Sequence, residues 1–153
     1  MILPSLSTLL FSLAALSTAV SSVSAVECAE ASRFGRLEVV PSTVAPGQAF
    51  DVHANLTCAI YFEIIPTYLD YYVEVLTDNN GHEPSIYLGR RDYTYNPLSP
   101  VDTFTTSLPY GYYFNGSQYS VVLDMIYPIN GTDGSTVNIV GGTQALLNVT
   151  LSS

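Results

Sequence analysis

The sequence predicts an all-β chain, an immunoglobulin-like β-sandwich of about seven to nine strands, on three observations. Several short runs alternate apolar and polar residues with a period of two, the mark of half-buried strands. Clusters of Gly, Pro, Asn and Asp punctuate those runs at spacings of roughly 8–12 residues. No longer window carries a 3.6-residue period, and β-branched residues and the 12 tyrosines dominate the apolar positions.

The elements follow in chain order. Residues 1–25 are a secretory signal peptide: an apolar, nearly charge-free stretch, then a small-residue run ending Val23-Ser24-Ala25. Cleavage there leaves one domain over 26–153. A first strand is expected over 36–40, stopped by Pro41 and the turn Val44-Ala-Pro-Gly47. In 49–56, Phe50, Val52, Ala54 and Leu56 share one face, with Asp51, His53 and Asn55 on the other. Residues 71–76 form the next strand, ended by Asp78-Asn-Asn-Gly81, whose residues tolerate positive φ. Two short strands are expected over 85–88 and 92–95, then one over 102–108 after Pro97 and Pro100. A loop over 109–117 leads into 118–126, the most apolar strand. Residues 128–135 read as a turn, and 136–140 and 144–151 as two closing strands around Gly141-Gly142.

Cys28 and Cys58 are the two cysteines, and in an oxidising compartment they are expected to pair. Closing that loop constrains the unfolded chain by roughly 3 kcal/mol. Four N-glycosylation sequons start at Asn55, Asn115, Asn130 and Asn148. Asn55 and Asn148 fall on the polar faces of their strands, where a glycan is tolerated. Sequons, signal peptide and paired cysteines together predict a secreted, extracellular glycoprotein.

Composition narrows the function. Thirteen Asp and Glu stand against four arginines and no lysine, a formal net charge of −9. Such a surface repels phosphate backbones and anionic lipid, which argues against nucleic-acid and membrane-surface binding. No stretch after the leader reaches the ~20 apolar residues of a membrane span.

The residues give little support to catalysis. His53 lies two residues from Asp51, and His82 beside Glu83, yet each fits an exposed strand or turn position as well as a base. Glu63, Asp70, Glu74 and Asp124 offer carboxylate pairs for glycoside hydrolysis only in the sense that any acidic chain does. The run Asp78–Glu83 lacks the ligand spacing of an EF-hand loop. Zinc spacing, a nucleophile elbow and nucleotide-binding loops are missing. The expected first mature residue, Val26, is not the histidine with which secreted copper enzymes that oxidatively cleave polysaccharides begin. Arg90-Arg91, a dibasic pair, sits beside a strand where folded structure blocks a protease. The chain therefore reads as a non-enzyme without cofactor or metal.

The most distinctive feature is the loop carrying Tyr110, Tyr112, Tyr113 and Phe114. Tyrosine joins an apolar ring to a polar tip, which suits protein interfaces and stacking on sugars. The same rings could instead fill the core of a Trp-free sandwich, and the sequence divides evenly between the two.

The run Pro41-Ser-Thr-Val-Ala-Pro-Gly-Gln-Ala-Phe-Asp-Val52 resembles the opening of the necrosis-inducing secreted protein family of fungi. Tyr87-Leu-Gly89, Ser107-Leu-Pro109 and Asn148-Val-Thr-Leu151 extend the likeness. The resemblance implies a small secreted effector that binds host plant proteins, immune receptor-associated kinases among them, and suppresses immune signalling. A kinase-domain target implies delivery into host cells. The alternative is a carbohydrate-binding or cell-wall-associated module whose partner is a polysaccharide held by the tyrosine-rich loop.

Overall fold

A computed structural model describes residues 27–79 and 81–151; the expected signal peptide over 1–25 lies outside them. Eight strands form two sheets: β1 (Arg36–Val40), β2 (Thr43–Val44), β3 (Ala49–Asn55), β4 (Tyr68–Val75), β5 (Ile86–Asp92), β6 (Val101–Ser107), β7 (Tyr119–Asn130) and β8 (Thr136–Val149). The three-stranded sheet has the order β1-β3-β6 and the five-stranded sheet β2-β8-β7-β4-β5. Neighbours are antiparallel except β2, which runs parallel to β8. The chain passes from one sheet to the other between β1 and β2, at the cis Val40–Pro41 peptide. This is the immunoglobulin-like sandwich that the alternation predicted.

The core lies between the sheets. Phe50, Val52 and Ala54 of β3 face Leu69, Tyr71 and Val73 of β4 and Val121, Leu123 and Met125 of β7. Every second residue of these strands is buried because the pleat points successive side chains to opposite faces. Tyr119, the first residue of β7, accepts the Phe114 N–H on its hydroxyl at 2.8 Å. This is the local geometry of the tyrosine corner that fixes the same turn in immunoglobulin sandwiches.

Four expectations are corrected. In place of the two strands expected over 85–88 and 92–95 there is one, β5, which ends at Asp92 and carries a bulge opposite Tyr71 and Tyr72; residues 93–95 are not strand. Gly89, next to the extra residue Leu88, has φ +151°, a conformation that L side chains rarely adopt. The two closing strands are likewise one, and Gly141-Gly142 lies inside β8 opposite Met125 and Asp124. β7 runs on through Pro128 to Asn130, into a stretch where β4 no longer pairs with it. Ile126 turns its carbonyl to Thr67 at 2.7 Å; two residues on, the N–H that proline lacks would have pointed to the same, now vacant, side. Finally, the last strand, expected to run to residue 151, ends at Val149, and Leu151 is exposed.

A short helix, α1 (Thr57–Tyr61), follows β3 where sequence reading saw none. Its Cys58 is disulfide-bonded to Cys28, with Cα atoms 5.5 Å apart across a separation of 30 residues. The bridge thus ties the N-terminal segment to α1 and not to a strand. Among the described residues, no helix is long and apolar enough to cross a membrane.

Candidate functional site

The loop between β6 and β7 is fixed from below and bare above. Tyr113 packs edge-on against Tyr119, ring centroids 5.3 Å apart, and donates its hydroxyl to the Pro109 carbonyl at 2.8 Å. It is a core residue, only 7% exposed, so it cannot be part of a contact surface. Its neighbours go the other way. Tyr110 and Tyr112 are 88% and 87% exposed and Phe114 50%. Tyr112 and Phe114 lie 5.9 Å apart as a tilted pair, while the Tyr110 hydroxyl end rests on the turn at Gly47, where any side chain would collide with it. The division between core and surface thus falls inside the cluster, at Tyr113.

Beside Phe114 opens a cleft of about 750 Å³, walled on one side by Asn115–Gln118 and on the other by the β4–β5 turn. Glu83 joins the two walls. Ser117 Oγ donates to Glu83 Oε1 at 2.7 Å, and the Tyr119 hydroxyl donates a short bond to Glu83 Oε2. Burial, then the bond to Glu83, pushes the Tyr119 hydroxyl up to about 12. The turn itself is closed by Asn79, which accepts the Glu83 N–H at 2.7 Å and donates to the Glu83 carbonyl at 2.8 Å. Asn79 thereby fixes the geometry of the turn. Apart from Val75 at its floor and the walls already named, the lining is polar: Thr77, Asp78, His82 and Asn115. Such a wall presents hydrogen-bond partners next to one aromatic ring, a combination that suits a hydroxyl-rich ligand.

The other sequence candidates do not converge. His53 sits on the outer face of the three-stranded sheet between Glu38 and Thr103. Asp51, its supposed orienting partner, instead accepts the Thr105 hydroxyl at 2.6 Å. His82 is exposed, and Glu83 turns away from it toward Tyr119. Glu63 is exposed in the turn after α1. Both Asp70 oxygens are held by Arg90, at 2.8 and 2.6 Å. Arg90 and Arg91 point to opposite faces of β5, Arg90 outward to Asp70 and Arg91 inward to Asp102 at 2.7 Å. Neither is offered as a dibasic cleavage site. No group of three His, Cys, Asp or Glu suited to a metal occurs among the described residues.

All four sequon asparagines are exposed. Asn55 Oδ1 accepts the Thr57 N–H at 3.0 Å, Asn115 lies on the rim of the cleft, Asn130 ends β7, and Asn148 lies near the end of β8. Sequence reading missed Tyr119 and Asp102 and set Glu83 only beside His82; the Asp102–Tyr71, Glu83–Ser117 and Glu83–Tyr119 bonds span 31 to 36 residues. Nothing local in the sequence announces contacts of that range.

No family model and no curated protein matches the chain. Among solved structures it is similar to superoxide reductase (neelaredoxin) from Ignicoccus hospitalis, at 13% identity and TM-score 0.43, over 75% of this chain and 79% of that one. A point variant of that protein aligns at 12% identity and TM-score 0.43, over 76% and 81%. A second point variant aligns at 15% and 0.42, over 78% and 83%. Likeness at this level says nothing about chemistry.

Proposed function

We propose that the chain is a secreted fungal effector that acts by binding a host plant protein, an immune receptor-associated kinase being the class its family resemblance implies, and not by catalysis. The observation that carries the reading is the Tyr112–Phe114 pair, two solvent-facing rings on a loop whose base is locked by Tyr113 and Tyr119. Rigid exposed aromatics lose little entropy on binding and are the residues that most often dominate protein contacts. The scattering of His and carboxylate candidates supports contact over chemistry. Secretion is part of the same proposal, and the Cys28–Cys58 bridge supports it.

A second reading, a module that binds cell-wall polysaccharide, is favoured by the polar cleft beside Phe114. One experiment separates them: capture by the secreted protein, run in parallel on plant extract and on chitin, cellulose and β-glucan. The effector reading expects saturable recovery of a receptor-associated kinase, weakened at least about tenfold in a Tyr112→Ala, Phe114→Ala double variant. Retention on polysaccharide alone replaces it with the second reading. Recovery of neither overturns both.

A further inference from the structure

The outer face of the five-stranded sheet is organised in rows that cross the strands. In register, one row is Tyr87, Tyr72, Val122 and Gln144; the next is Arg90, Asp70, Asp124 and Gly142; a third holds Asp92, Tyr68, Ile126 and Val140. Tyr87 and Arg90 are three residues apart and would point to opposite faces of a regular strand. The bulge in β5 absorbs the extra residue, and both emerge on the outside. The result is a charged row between two rows made mainly of rings and aliphatic side chains, with Gln144 and Asp92 at their ends.

From these rows we infer a second contact surface, the outer face of β4, β5 and β7, that docks a protein segment presenting arginine or lysine beside apolar residues. Charge and ring chemistry select that partner. The face carries the carboxylates of Asp70, Glu74, Asp92 and Asp124 against one cation, Arg90, which is already spent on Asp70. Burial first, then Glu74 and Asp70, holds the Asp124 carboxyl above its ordinary value, a repulsion that an incoming cation relieves. Tyr72 and Tyr87 pair at 5.3 Å, with Tyr87 54% exposed. Arg90 shows how such a face holds a guanidinium: it is gripped by Asp70 and lies 4.8 Å over the Tyr68 ring. The position between Tyr72, Tyr87 and Glu74 offers ring and carboxylate to a second cation. No sequon falls on β4 or β5, and Asn130 lies at the end of β7, beyond the stretch that pairs with β4. Asn148 shares the outer face only at the far end of β8, and Asn55 belongs to the other sheet.

The inference rests on the reading of the chain as a binding protein, but it names different residues. The test uses the intact secreted protein and a synthetic peptide alternating arginine with leucine. A glutamate–leucine peptide and a soluble β-glucan oligosaccharide run beside it in calorimetric titrations. The arginine peptide is expected to bind and the glutamate peptide not. Tyr87→Ala, which leaves the net charge untouched and removes an exposed ring, is expected to weaken the peptide about fivefold. Glu74→Gln should weaken it similarly and flatten its salt dependence. Tyr112→Ala should leave it unchanged.

Equal binding by parent and Tyr87→Ala, with both melting cooperatively, reduces the attraction to overall charge and overturns the proposal. So does saturation by the oligosaccharide in place of the peptide, or self-association that buries Tyr87. Capture of a host kinase that survives Tyr87→Ala but is lost with Tyr112→Ala and Phe114→Ala overturns the second surface and leaves the function standing.

Discussion

At the scale of single residues, the polar groups divide into those the fold has partnered and those it has left under load. Glu83 is partnered: its two oxygens take Ser117 and Tyr119. Asp124 is under load. It sits half-buried opposite Asp70, with Glu74 on the same face, and its carboxyl is raised from its ordinary 3.8 by burial and then by those two neighbours. A carboxyl that holds its proton more tightly when folded favours the folded state at low pH; that contribution is lost as pH rises from 3.8 through the raised folded value. Asp124→Asn removes the ionisation. The variant is therefore expected to melt higher than the parent at pH 7, with the gap closing as pH falls to about 4. Paired thermal melts across that range check it, and a gap independent of pH would assign the gain to packing.

At the scale of elements, glycine separates what the sequence makes legible from what it hides. The alternation in 49–56 predicts β3 to within a residue because one face is buried along its whole length. Gly89 and Gly141-Gly142 mislead: each looks like the end of a strand and each lies within one. A local window cannot distinguish a glycine that turns the chain from one that admits a neighbour, since the neighbour lies far off in sequence. A Cβ on Gly141 would collide with the Phe34 ring, and one on Gly142 with the Leu123 carbonyl oxygen. Around Gly89 nothing lies within 4 Å, and only its φ of +151° resists a side chain. Gly142→Ala, which must displace the backbone of β7, is expected to cost about 2–3 kcal/mol, and Gly89→Ala about 1 kcal/mol. Urea unfolding of both variants checks the ranking. The candidate site follows the same pattern: the tyrosine-rich loop is visible from composition, but Tyr113 is assigned to the core by its packing on Tyr119 across the turn and its bond to the Pro109 carbonyl.

At the scale of the whole molecule, the two sheets are joined by apolar packing and by one polar junction at the edge where β5 and β6 approach. Asp102 of β6 accepts the Tyr71 hydroxyl of β4 at 2.9 Å and the Arg91 guanidinium of β5 at 2.7 Å. Phe104 of β6 packs between the same two partners, 4.8 Å from the Tyr71 ring and 4.7 Å from the guanidinium. Tyr71 is fully buried, and burial followed by Asp102 drives its hydroxyl well above the ordinary tyrosine range. Asp102→Ala leaves that hydroxyl without an acceptor and Arg91 without its carboxylate, and is expected to cost about 2–3 kcal/mol. Tyr71→Phe alone should cost about 1 kcal/mol. If the junction acts as a unit, the two losses are not additive: once Asp102 is gone, replacing Tyr71 by Phe removes a stranded hydroxyl and recovers stability. A double-mutant cycle by urea unfolding measures this coupling. A coupling near zero would mean that the sheets are held by their apolar faces alone and that the Asp102 bonds only decorate the edge.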